Sequence, residues 1–138
     1  MLIEDTSLSF NALNDLPGPY IKWFVISLGL EGLYSLLAAH TDHSAYCQCV
    51  VGFSPGPGAE PVLFTGRTHG QIVAPQESGG WGWDAIFVPD GSEEPFSSMD
   101  LAQKNQISHR ARALAQFVEY AKENVDEVMD AISEIDEE

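Results

Sequence analysis

Near the C-terminus a stripe of apolar residues at helical spacing sets the first constraint on the fold. Ile107, Ala111, Leu114, Val118, Ala121 and Val125 fall along one side of a helix. Just before them, Asp100-Leu101-Ala102-Gln103 has the form of a capping box, with Asp100 at the N-cap and Gln103 three residues on. The spacing therefore predicts a long helix from this point, continuing weakly through Val128, Met129, Ile132 and Ile135. An apolar stripe of that length calls for a partner surface, because helices in water gain most of their stability from packing.

The rest of the chain supplies strand candidates. Residues 45–53 read as a strand, broken by Ser54-Pro55-Gly56-Pro57-Gly58 and followed by a second run from Val62 to Thr65. Residues 67–74 read as a third strand, set apart by a bend or bulge at Gly66 and Gly70. Residues 84–88 are strand-like and stop at Pro89-Asp90-Gly91. Upstream, residues 1–4 form a short apolar run ending at paired acids, which places Glu4-Asp5-Thr6 at a strand end. After the turn cluster Asn14-Asp15-Leu16-Pro17-Gly18-Pro19, residues 20–28 read as a helix opened by Pro19. Gly29 interrupts it, and residues 31–40 form a second helix with Leu33, Leu36 and Leu37 on one side.

Charge narrows the function. The 138 residues carry a formal net charge of -15, and the last 16 hold eight acids without a single Lys or Arg. A field of that sign repels nucleic-acid backbones and anionic membranes. Neither a nucleic-acid nor a membrane partner is expected, and a site for a polyanion would have to use the six bases deliberately or a metal cation. The start has neither the basic segment nor the long apolar stretch of a secretory signal. Cys47 and Cys49 sit two apart, on one face of a strand, a poor geometry for bridging. Reduced thiols in a cytoplasmic protein are the expectation.

Three segments could carry chemistry. Glu4-Asp5-Thr6 offers carboxylate oxygens suited to Mg²⁺, or to orienting a water, or is a solvated strand terminus. Lys104, His109 and Arg110 crowd the first part of the predicted long helix, where cations gain nothing from the helix dipole. That cluster is either a solvated helix start or an anion or polar-base site. Gly79-Gly80-Trp81-Gly82-Trp83-Asp84 is not a phosphate loop, because it lacks the Lys-Ser/Thr ending. Its tryptophans are a hydrophobic plug or a stacking platform for a base, with Asp84 able to accept from a purine N–H. Ser108 and His109, about 100° apart on a helix, are not a nucleophile–base pair. His40 and His43 lack the partners of a zinc site.

Taken together, Glu4-Asp5-Thr6-Ser7-Leu8, Leu16-Pro17-Gly18-Pro19-Tyr20-Ile21-Lys22-Trp23-Phe24, Phe64-Thr65-Gly66-Arg67-Thr68-His69-Gly70, Trp81-Gly82-Trp83-Asp84 with Phe87, Pro89, Asp90 and Gly91, and Lys104-Asn105 with Ser108-His109-Arg110 resemble the inosine triphosphate pyrophosphatase family over residues 1–122. The resemblance implies an α/β fold: an elongated mixed sheet with flanking helices and two lobes around a nucleotide cleft. It implies Mg²⁺-dependent hydrolysis of ITP, dITP and XTP to monophosphate and pyrophosphate by a homodimer. Asp5 would be the general base and a metal ligand, with Glu4 beside it as a second ligand. Thr6, Lys22, Trp81, Gly82, Trp83, Asp84, Lys104, His109 and Arg110 would bind substrate, Trp81 stacking on the base and His109-Arg110 reading its 6-keto group. Family members open with a strand, a Thr/Ser-x-Asn-x-x-Lys phosphate loop, a long helix and a strand bearing another metal-binding Glu, and this sequence has no counterpart of them. An N-terminally truncated fold with an exposed sheet edge is therefore expected. The alternative function is an inactive remnant that binds nucleotide or pairs with a full-length subunit. Residues 123–138 fall outside the family pattern and read as an acidic helix end or tail.

Overall fold

The computed structural model describes residues 1–76 and 82–136. Five strands form one sheet: β1 (Leu2–Phe10), β2 (Leu16–Gly18), β3 (Ser44–Phe53), β4 (Val62–Ile72) and β5 (Phe87–Pro89), in the order β2-β1-β3-β4-β5. Helix α1 (Ile21–Ser35) follows β2, and α2 (Leu101–Ile107), α3 (His109–Glu123) and α4 (Val125–Asp136) follow β5. The α/β class is the expected one. The mixed pairing is not seen among the described residues, where all four ladders are antiparallel.

The register explains which side chains meet. Leu8 lies opposite Cys47, which lies opposite Thr68, and Thr6, Cys49 and Gly66 form the next row. Residues directly across a ladder share a face, so these rows look toward the helices. β3 alternates accordingly, with Ala45, Cys47, Cys49, Val51 and Phe53 buried and Tyr46 and Gln48 only partly so. Both cysteines are buried and free, and burial pushes the Cys47 thiol up to about 12, which makes it inert.

Two clusters fill the covered face. One joins Leu8, Phe10, Ile21, Leu33, Trp83, Phe87 and Phe96, and the other joins Cys49, Val51, Phe53, Phe64 and Ala113 with Val128 and Ala131 of α4. In the second, the rings of Phe53 and Phe64 lie 5.4–5.9 Å from those of Phe117 and Tyr120.

Several local expectations change, among them residues 84–86, which form a short 3-10 turn ahead of β5, and residues 16–18, which form β2 inside the expected turn cluster. β1 runs on to Phe10, so Glu4 and Asp5 sit within the strand and not at its end. Residues 62–72 form one unbroken strand, because Gly66 serves a close approach and not a bend: a methyl there would overlap the His109 carbonyl and the Ala113 amide of α3. The predicted long helix is three helices, broken at Ser108 and Asn124. The face it buries is also rotated, since Ala113 is buried and Val118 and Val125 are about half exposed. In α1 the interruption at Gly29 is present as a left-handed residue, φ 69°, inside the helix. The helix ends at Ser35, short of residue 40.

Asp100 accepts from the Gln103 amide at 2.8 Å, and the Gln103 side chain accepts from the Asp100 amide, completing the capping box. β2 pairs only with residues 8–10 of β1, leaving residues 2–7 with one strand neighbour among the described residues. The acidic end does not simply trail into solvent. Tyr120 donates to Glu127 at 2.8 Å, and Val128 and Ala131 are buried against the second cluster.

Candidate active-site cleft

Between β1, the start of α1, the segment before β5 and the α2–α3 junction lies a cleft of about 780 Å³. It is large enough for a nucleotide-sized ligand. Its lining includes Glu4, Asp5, Thr6, Lys22, Gly82, Trp83, Asp84, Lys104, His109 and Arg110. Every expected site residue but one is therefore brought to a single cavity from separate stretches of sequence. The exception, Trp81, lies outside the described residues. Three of the six bases (Lys22, Lys104 and Arg110) face a cavity in a chain of net charge -15. Such a concentration of cations creates a local field for an anion against the overall charge.

The walls differ in character. Ile21, Val25, Ile26, Leu101 and Leu114 give an apolar side that sequence reading did not assign to a site. Their only signal was helical spacing, which core residues share. Trp83 is buried and packs edge-on to Phe87 at 5.8 Å, so it is part of the wall's foundation more than an open platform. Lys104 donates to Asp84 Oδ2 at 2.5 Å and its ammonium lies 5.4 Å from the Phe96 ring centroid. The pair is mostly buried, with 25% and 11% side-chain exposure. Lys22, in the first turn of α1, lies 5.5 Å from the exposed Trp23 ring.

His109 opens α3 with its ring between Trp83, 5.5 Å away, and Phe96, 6.1 Å away. Its Nδ1 is buried without a hydrogen-bond partner among the described residues. Burial, helped by the Lys104 charge, brings its pKa down to about 4. The ring is thus neutral near pH 7, with one nitrogen a donor and the other an acceptor. Arg110 follows, largely exposed, and donates to Glu4 Oε2 at 2.8 Å. That carboxylate raises the Arg110 pKa further.

The expected pair of metal ligands is not assembled. Alternation along β1 turns Glu4, opposite Val51, toward the helices and Asp5, opposite Val50, to the other side, so the two border the cavity from different faces of the strand. Glu4 is engaged by Arg110, and no group of three or more His, Cys, Asp or Glu suited to a metal occurs among the described residues. The Asp5 carboxylate makes no hydrogen bond or ion pair among the described residues. One uncommitted carboxylate does not build a metal cage in the protein. It matches only a cation held mainly by phosphate oxygens and water.

The sequence model of the Ham1 family matches residues 1–120. The inosine triphosphate pyrophosphatase of Neurospora crassa is 57% identical over 124 residues, covering 89% of this chain and 64% of that protein. The protein of the same name from Podospora anserina is 53% identical, with 89% and 65% covered. The chain thus spans slightly less than two thirds of these relatives' length. Among solved structures, a Ham1 protein from Coxiella burnetii matches with a TM-score of 0.81 at 27% identity, covering 88% of this chain and 66% of that one. The Staphylococcus aureus Ham1 protein matches with a TM-score of 0.77 at 28% identity, covering 89% and 67%. A match across nearly the whole sequence, identity above one half and a shared fold agree, and this chain belongs to the Ham1 family.

Proposed function

We propose that this chain hydrolyses non-standard purine nucleoside triphosphates, ITP, dITP and XTP, to the monophosphate and pyrophosphate. The observation that carries this reading is the convergence of Lys22, Asp84, Lys104, His109, Arg110 and Asp5 on one cleft with an apolar side. A purine has a flat apolar body, polar edges and an anionic tail, and the cleft offers surfaces for all three. The names of the relatives point the same way.

In this reading the neutral His109 ring and Arg110 meet the base edge. A keto oxygen there accepts from an N–H donor, whereas the amino group of adenine would leave that donor and itself unpaired. Asp84, held by Lys104, accepts from a ring N–H. Lys22 draws the phosphates electrostatically. Trp81 is proposed to stack on the base, with Thr6, Gly82 and Trp83 completing the substrate wall. Asp5, exposed and with no side-chain partner among the described residues, is the proposed general base that takes a proton from the attacking water. Mg²⁺ is the proposed cofactor, and when bound with the triphosphate it would neutralise charge on the leaving pyrophosphate. Glu4, paired with Arg110, is available to it only if that ion pair opens. A homodimer and a cytoplasmic location are proposed on the same family resemblance. No helix among the described residues is long and apolar enough to cross a membrane.

The test is pyrophosphate release from ITP and from ATP in the presence of Mg²⁺, with Asp5→Asn as control. Release that favours ITP and disappears in the variant supports the reading. ITP binding without release supports the alternative of a nucleotide-binding chain that does not hydrolyse, and the absence of any nucleotide response overturns both.

A further inference from the structure

A β4 hydroxyl bonds to the chain at the helix break that builds one wall of the cleft. In one continuous helix, His109 and Arg110 would point about 140° and 240° around the axis from Lys104. Three side chains spread that way cannot face one cavity, yet all three line it. They do so because the chain leaves helical geometry at Ser108, whose φ and ψ are -70° and 152°. Two hydroxyls fix this break. Ser108 Oγ accepts from the Ala111 amide at 3.1 Å and caps α3. Thr68 Oγ1 donates to the Ile107 carbonyl at 2.6 Å, satisfying a group that the end of α2 leaves free. Thr68 and Ser108 are buried, with 3% and 2% exposure respectively. Two residues along β4, on the same face, Gly66 lets the α3 backbone settle directly on the strand.

We infer that Thr68 is a positioning residue: its hydroxyl, bonded to the Ile107 carbonyl, sets the α2–α3 break that aims Lys104, His109 and Arg110 into one cleft. Thr68 is not among the residues that line the cavity. Its effect reaches the site through the backbone, and the inference concerns how the proposed site is assembled.

The experiment compares Thr68→Val, which keeps the shape and removes the hydroxyl, with Thr68→Ser, which keeps the hydroxyl. Two quantities are read: the ¹H–¹³C NMR shifts of the His109 ring, and ITP affinity by calorimetry. The His109 ring lies between Trp83 and Phe96, so ring currents should displace its signals. In Thr68→Val these signals move toward their free-histidine positions and ITP binds about tenfold more weakly. In Thr68→Ser the signals stay and affinity changes by less than about twofold. A Thr68→Val protein with reduced melting temperature but unchanged His109 signals overturns the inference, since that is a stability effect alone. So does a Thr68→Ser protein that loses the signals. If Thr68→Val does not fold, Thr68→Ala read in the same way replaces it, and Ala signals matching those of Ser overturn the inference. The NMR reading needs no nucleotide, so a wild-type chain that does not bind ITP would sink the proposed function and leave the positioning role decided on its own.

Discussion

The two clusters on the helix-covered face of the sheet share strands but differ in what they hold. Under α3 and α4, Phe53, Phe64, Phe117 and Tyr120 meet ring to ring around Cys49, Val51 and Ala113. Bordering the cleft, Trp83, Phe87 and Phe96 are equally aromatic, yet buried polar groups sit among or beside them: Asp84, Ser108, His109 and Thr68. Burying polar groups costs free energy unless each is paired. Three of the four are paired, by Lys104, Ala111 and Ile107, while the His109 Nδ1 has no partner among the described residues. The first region exists to be stable. The second accepts a less favourable interior and keeps charged and hydrogen-bonding groups at a cavity wall.

Phe64→Ala should have the largest effect on folding, about 3–5 kcal/mol by chemical denaturation, with ITP affinity unchanged in protein that remains folded. A loss of affinity would show that the two regions are not separable.

Acid should act on the cleft region selectively. The folded His109 titrates near 4 against an ordinary 6.5. Between those values the unfolded chain binds more protons, so the stability due to the neutral ring is full above about pH 6.5. It is lost as pH falls toward about 4, on the order of 3 kcal/mol at most. Urea denaturation across this range should show a shallower slope in His109→Gln than in the parent. Equal slopes would mean that the ring does not titrate as its burial implies.

Asp84→Asn leaves the Lys104 ammonium without its anion in a mostly buried position. It should cost about 2 kcal/mol, less than a fully buried pair would, and weaken ITP binding as well. An effect on stability without one on affinity would remove Asp84 from the site. Glu4→Gln is the smallest change. Its ion pair with Arg110 is exposed, so less than about 1 kcal/mol of stability is expected to be lost, fading further in high salt. A larger loss would indicate that the pair does more than hold Arg110 over the cleft.

Much of this architecture was legible in the amino-acid order. β3, the hairpin into β4, the break at Gly29 and the capping box at Asp100 each depend on residues within a few positions of one another. The site residues were legible as segments, because Lys, His and Arg beside one another, and tryptophans among glycines, are unusual enough to notice. Gly66 shows the limit. From sequence it signalled a bend in the strand, and in the fold it is straight and serves the approach of α3. The apolar stripe likewise identified a helix but not which side would be buried, since Ala113 and Phe117 took the place expected for Val118 and Val125.

Local pattern alone marked β3, the hairpin into β4, the start of α2, the acidic character and the kinship of the chain. The fold settled how far β1 runs past Glu4 and Asp5, and that one predicted helix becomes three. It also decided that Thr68 meets a carbonyl 39 residues away. The reason is physical: local propensity operates within a turn or two of backbone, whereas a register or a helix break is settled by partners that come together only when the chain has folded.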